Sequence, residues 1–137
     1  MNKQTELVGT MTKETLKTVA ETLVRYCREG KEAQGLEELY ASDAVSMEAA
    51  PSPDGMGPES KGIDAIRGKH AWWEENFEVH DATVDGPFVH GDDRFAVVFA
   101  LDATHKQSGK REAMREVAIY TLNAEGKIAR EEFYYPS

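Results

Sequence analysis

The 137-residue sequence has one cysteine, Cys27, so no disulfide can close within the chain, a usage that agrees with a reducing compartment. No apolar run approaches the roughly 20 residues of a membrane span, and Met1 to Thr10 lack the apolar stretch of a secretory signal. A cytoplasmic protein without a membrane partner is the expectation. Positive charge is scarce: 16 Lys and Arg stand against 25 Asp and Glu, a formal charge of −9. Nucleic acid and anionic lipid both demand clustered cations, so the expectation is no nucleic-acid partner either. The chain also lacks a phosphate loop, a nucleophile elbow and a dinucleotide fingerprint, which leaves no nucleotide cofactor implied. His80, His90 and His105 have no short metal-ligand spacing, and Cys27 has no partner motif, so no metal is expected.

What is present is a soluble composition, 40% apolar and 30% charged, long enough for one domain to bury a core unaided. We expect a mobile lead over residues 1–11 and a single domain over 12–137. Leu16, Val19, Ala20, Leu23, Val24 and Cys27 recur at helical spacing, with Thr12 as N-cap and Gly30 as the stop. Leu36, Leu39 and Tyr40 suit a short second helix, and Val45, Met47 and Ala49 alternate like a strand. "PSPDGMGPESKG", Pro51 to Gly62, reads as a loop and a candidate flap. A third helix is expected from about Ile63 to Asn76, followed by four strands in a meander, the first bent at Gly86 and Pro87. Helices early and strands late predict an α+β fold, a curved antiparallel or mixed sheet covered by three N-terminal helices that leaves a cone with a cavity.

The stretches "LEELYASDAV", "GIDAIRGKHAWWEENF", "FAVVFALDAT" and "REVAIYTLNAEGKIAREEFYY" carry a resemblance over nearly the whole chain. In order and phrasing they look like the SnoaL-like branch of the nuclear transport factor 2-like superfamily. The resemblance implies a cone-shaped, cystatin-like α+β barrel, a homodimer through the outer face of the sheet and a pocket for a small, mostly apolar molecule. Relatives of this fold include polyketide cyclases, ketosteroid isomerases and epoxide hydrolases, and the fold alone does not choose among them. An Asp-Arg-Asp arrangement like that of the epoxide hydrolases would need an arginine beside Asp102, where Val98 stands.

Three residues are candidates for chemistry. Ile63, Ile66, His70, Trp73 and Phe77 form one stripe of the third helix, so His70 faces inward, either as a hydrogen-bonded core imidazole or as a pocket group that shuttles protons. In "FAVVFALDA", Asp102 follows Ala96, Val98 and Ala100 on one strand face, and a carboxylate beside small apolar residues has its pKa raised by desolvation. The alternative for Asp102 is a surface pair with Arg111 or Arg115. Glu116 shares the face of Asp102 if Ala100 pairs with Met114, and takes the opposite face if the register slips by one. The expected ligand pocket comprises Tyr40, Ile66, Trp73, Phe77, Val98, Ala100 and Tyr120, with tyrosines, Tyr134 included, able to bond a carbonyl. Either Glu131 or Glu132 must point inward if the last strand is covered on both faces.

Two readings follow. One is a cofactor-independent isomerase- or cyclase-like enzyme moving a proton on a small apolar carbonyl or ring compound, with Asp102 as acid or base and His70 or Glu116 as its partner. The other is a ligand-binding or dimeric module in which the same groups satisfy one another.

Overall fold

The structure is a computed structural model that describes residues 11–50 and 57–135. Helix α1 spans Lys13–Arg28, and its N-cap is Thr12, whose hydroxyl accepts the Thr15 amide N–H at 3.0 Å. Glu14 in the first turn and Arg25 and Arg28 in the last complement the helix dipole. Gly30, at φ 72°, lets the chain leave the helix in the left-handed region. Helix α2 spans Glu32–Leu39 and strand β1 Tyr40–Met47, so Tyr40 opens the strand instead of closing the helix. Beyond these come β2 (Glu59–Lys61), α3 (Ile63–Asn76), β3 (Phe77–His90), β4 (Arg94–His105), β5 (Arg111–Leu122) and β6 (Ile128–Tyr134).

The six strands lie in the order β2-β1-β6-β5-β4-β3, a mixed sheet in which β1 and β6 are parallel and every other neighbouring pair is antiparallel. The fold is the expected α+β cone, but β2 and β3 end as separate edges and the sheet does not close into a barrel. The expected loop over Pro51 to Gly62 is only partly a loop. Residues 51–56 lie outside the described residues, whereas Glu59–Lys61 forms β2 against Val45, Ser46 and Met47. Residues 1–10 of the expected lead also lie outside the described residues, and Met11 packs against the core.

Alternation places Phe95 and Val97 of β4, Ala118, Tyr120 and Leu122 of β5 and Ile128 of β6 on the inner face. Leu16, Ala20, Leu23 and Val24 of α1 close over this end, and Phe95 stacks on Tyr120 with ring centroids 4.9 Å apart. Gly126, in the β5–β6 turn, has φ 79°, and a Cβ there would sit 2.7 Å from Thr15 of α1, so only glycine lets the turn approach the helix this closely. Arg28 reaches across to β3, donating to the Val84 carbonyl at 3.1 and 2.8 Å. The register of β3 on β4 shifts between Asp85 and Phe88, where Gly86 and Pro87 lie, as the sequence predicts.

In β1 the buried row is Ala44 and Ser46, while Val45 and Met47 are only half-buried on the other side. Val45 and Met47 alternate as the sequence predicts for a strand, and the row they mark is the outer one, because the outer side of this sheet is itself apolar. Phe88, Val117 and Tyr134 are exposed there.

Candidate functional site

The register between β4 and β5 decides the site. Leu101 pairs with Met114, Ala100 with Arg115 and Phe99 with Glu116. This is the one-residue slip from the Ala100–Met114 pairing, and it turns Glu116 inward while Asp102 stays outside. The proposed Asp102–Glu116 acid and base pair therefore cannot form. Asp102 is held by Arg111, whose Nε and Nη2 donate to its two carboxylate oxygens at 2.9 and 2.8 Å. The Arg111 guanidinium holds this carboxyl below its usual range, the reverse of the expected upward shift. Val98 and Ala100 share the outer face with Asp102, so they leave the expected interior pocket as well. Asp81, Thr83, Ala100, Asp102 and Arg115 instead line an open groove of about 300 Å³ on the outside of the sheet.

Inside, β1, β5, β6 and α3 bring a polar group together at the end of the cone that α1 leaves uncovered. Glu131 is 2% exposed, facing its cross-strand partner Tyr120 on β5 and Ser46 on β1. The Tyr40 hydroxyl donates to Glu131 Oε1, and the Ser46 hydroxyl donates to Oε2 at 2.6 Å. Burial and the neighbouring Glu131 charge push the Tyr40 phenol well above its usual value, so Tyr40 keeps its proton for this bond. Lys69 of α3 donates to Ser46 Oγ at 2.7 Å, forms an ion pair with Glu48, and lies 4.5 Å from the centre of the Phe133 ring. Every one of these polar groups has a partner.

The Glu116 carboxyl and the Tyr120 hydroxyl have none among the described residues. Glu116 is half-buried and burial pushes its carboxyl up to about 7, with the charges of Glu48 and Glu131 adding to the shift and Lys69 opposing it. Neither its carboxyl nor the Tyr120 hydroxyl takes a hydrogen bond among the described residues, although Tyr120 is 3% exposed. Yet among the described residues no side-chain nitrogen or oxygen sealed from solvent lacks a partner. Both groups therefore border space that water can enter. They sit four residues apart on the same face of β5, separated by the buried Ala118.

The other expected residues divide. Ile66 is fully buried in the core. His70 is half-buried on α3 and takes no hydrogen bond among the described residues. Trp73 stacks on Phe77 at 4.0 Å, and Trp72 meets the same ring edge-on at 6.1 Å, so these aromatics form a cluster of their own where α3 passes into β3. Tyr134 is exposed and donates to Glu132 at 3.2 Å. Ser46, Glu48 and Lys69 were not singled out from the sequence. Lys69 adjoins His70 on the inward stripe, and a long stem carrying an ammonium to the edge of an apolar face is the signal that could have found it. Among the described residues no group of three His, Cys, Asp or Glu side chains is placed to hold a metal ion, and no helix is long and apolar enough to cross a membrane.

Comparison with known proteins places this geometry. No curated protein matches the chain. Among solved structures, a Mesorhizobium loti protein provisionally named a SnoaL-like polyketide cyclase is 40% identical, with a TM-score of 0.79 over 87% of this chain and 97% of its own. A Mycobacterium tuberculosis protein in complex with estradiol-17β-hemisuccinate is 20% identical, with a TM-score of 0.63 over 89% of this chain and 94% of its own. The Δ5-3-ketosteroid isomerase of a Mycobacterium species is 21% identical, with a TM-score of 0.60 over 89% of this chain and 93% of its own. These last two share the fold. The SnoaL-like domain model matches residues 14–135, nearly the whole described chain, and the protein belongs to the SnoaL-like family.

Proposed function

We propose that the chain binds a small, mostly apolar organic molecule against the inner face of β5 and exchanges a proton with it through Glu116, as a cofactor-independent acid–base enzyme of the isomerase or cyclase type. The observation that carries this reading is the pair of inward groups on β5 without hydrogen-bond partners among the described residues, the Glu116 carboxyl and the Tyr120 hydroxyl, beside a cluster of Tyr40, Ser46, Lys69 and Glu131 whose members satisfy one another. A carboxyl shifted to about 7 is divided between its two forms at neutral pH, so it can take a proton and return it. In a ketone substrate the bond from carbon to hydrogen beside the carbonyl breaks, its proton passes to a Glu116 oxygen, and the electron pair moves toward the carbonyl oxygen. Tyr120 stays protonated, since burial and the Glu131 charge raise its phenol, and donates to that oxygen as charge develops. The fold shared with a ketosteroid isomerase and with a protein holding a steroid ester supports an apolar ring compound as the ligand class.

A second reading, a binding module without turnover, is favoured by the mutual satisfaction of Lys69, Ser46, Glu131 and Tyr40. The test is a β,γ-unsaturated ketosteroid, followed both by tryptophan fluorescence for binding and by the absorbance of the conjugated enone for turnover. Turnover that disappears in Glu116→Gln while binding persists supports the enzyme. Binding without turnover leaves the module, and no binding by this or any smaller cyclic ketone removes both.

The partner proposed for the outer face is a second copy of the chain. Phe88, Val117 and Tyr134 are 54%, 36% and 50% exposed on it, more apolar surface than a lone sheet face keeps in water. A monodisperse monomer by light scattering at micromolar concentration would count against this arrangement.

A further inference from the structure

We infer that the ligand of the inner site carries an amino group on its apolar skeleton, and that its ammonium ion is received by Glu116 in exchange for the proton that Glu116 holds when the site is empty. This rests on the binding reading above and adds the chemical class of the ligand.

Most of the charges inside the cone are already committed. Glu131 accepts from Tyr40 and Ser46, and Lys69 is occupied by its ion pair with Glu48 and its bond to Ser46. The hydrogen-bond directions are fixed along this chain: the ammonium donates to the Ser46 oxygen, so the Ser46 hydroxyl proton is the one given to Glu131. Lys69 thus has two ligands inside the protein and is not free to receive an acid. The charged groups acting on Glu116 are Glu48 beyond β1, Glu131 of β6 and Lys69 of α3, and the phenols of Tyr120 and Tyr135 lie within its field. Two carboxylates and one cation surround a third carboxyl, which avoids a further negative charge by keeping its proton.

A ligand cation replaces that proton. It offers Glu116 an opposite charge in a half-buried setting, the carboxylate form becomes the stable one, and the proton leaves to solvent. A ligand acid meets the same field with the wrong sign. The formal charge of −9 acts in the same direction at longer range by drawing cations toward the chain. The Tyr120 hydroxyl, which takes no hydrogen bond among the described residues, remains to bond a second polar atom of the ligand. Ionisation also prepares the chemistry, because the carboxylate is the form of Glu116 that accepts a proton.

The experiment uses the full chain and three probes of one shape: adamantan-1-amine, adamantan-1-ol and adamantane-1-carboxylate. Binding is measured by titration calorimetry at pH 6 in two buffers of different ionisation heat. The expected result is that the amine binds at least about tenfold more tightly than the carboxylate, the equivalent of one pKa unit, with up to one proton released. In Glu116→Gln the amine should lose its advantage and the proton release, while the alcohol binds as before. Equal or tighter binding of the carboxylate overturns the inference, as does an amine preference that survives Glu116→Gln. If the alcohol binds and the amine has no advantage, the pocket stands and the inference alone falls. If none of the three binds, and a ketosteroid does not bind either, the pocket itself is absent and both fall.

Discussion

Glu116 and Asp102 are carboxylic acids on neighbouring strands, close in sequence position along one hairpin, and they emerge on opposite faces of the sheet. Asp102 meets an arginine at the surface and is held below its usual pKa, while Glu116 meets burial and two other carboxylates and is raised to about 7. The residue types differ by one methylene, so the difference belongs to the faces. Inside, water is scarce and charge must be matched by protein groups; outside, solvent and an exposed guanidinium do the matching.

The largest contrast is between phenylalanines. Phe95 is fully buried on the inner face and stacked on Tyr120, whereas Phe88 is 54% exposed on the outer. Phe95→Ala should cost about 3–5 kcal/mol of unfolding free energy, read from the urea midpoint at constant slope. Phe88→Ala should leave the unfolding of an isolated chain nearly unchanged and weaken self-association in sedimentation runs. A large loss of stability in Phe88→Ala that does not depend on protein concentration would mean that the outer face packs on the chain itself.

Next comes the carboxylate clamp. Removing Glu131 strands the Tyr40 hydroxyl and leaves Ser46 with Lys69 alone, so Glu131→Ala should cost about 3 kcal/mol. Tyr40→Phe removes one donor and leaves Glu131 its bond from Ser46, and should cost about 1–3 kcal/mol. If Tyr40→Phe proves as costly as Glu131→Ala, the phenol's bond dominates the clamp and Ser46 adds little.

How much of this was legible beforehand follows the same division. Helical periodicity is a local signal, and α1 with its Thr12 cap and α3 from Ile63 to Asn76 stand where the spacing predicts. The meander and the bend at Gly86 and Pro87 were legible because turn residues punctuate it. The site was not, because it depends on register. Alternation shows that Asp102 and Ala100 share a face, but whether that face is inner requires knowing which of two apolar rows the helices cover. On β4 the bulkier row of Phe95 and Val97 is inside and the smaller row outside, the opposite of the assignment that put Asp102 at a cavity wall. On β1 the smaller row, Ala44 and Ser46, is the buried one. Size alone cannot decide when both faces are apolar. Glu131 was legible to within two residues, since one of two adjacent glutamates had to face inward.

The third contrast is in the pH dependence of stability, where the two acids act with opposite signs. Glu116 has a folded pKa of about 7 against 4.5 when free, so between those values the folded chain holds a proton that the unfolded chain has lost. Its contribution is most favourable below pH 4.5, declines as pH rises through about 7, and is level above that. The decline should be about 3 kcal/mol, and Glu116→Gln should abolish it and be the more stable protein at pH 8. Urea midpoints of both proteins from pH 4 to 9 measure this directly. Parallel curves would show that Glu116 ionises in the folded chain as it does in the unfolded one.

The smallest effect is that of Asp102, and its sign is reversed. Its pKa is lowered from 3.8 by Arg111, so its stabilisation is present above that value and is lost as pH falls through the folded pKa. The pair is bidentate but exposed, with the two side chains 60% and 37% accessible, so solvent screens most of the attraction. Asp102→Asn should therefore lower the unfolding midpoint slightly above about pH 4 and converge with the native chain below the folded pKa, and 0.5 M salt should erase most of that difference. It should leave binding of the neutral adamantane probe unchanged at every pH, because a sheet stands between Asp102 and the inner site. Loss of binding in Asp102→Asn with the fold intact would mean that ligand reaches the outer groove, and the functional distinction drawn between the two faces would have to be redrawn.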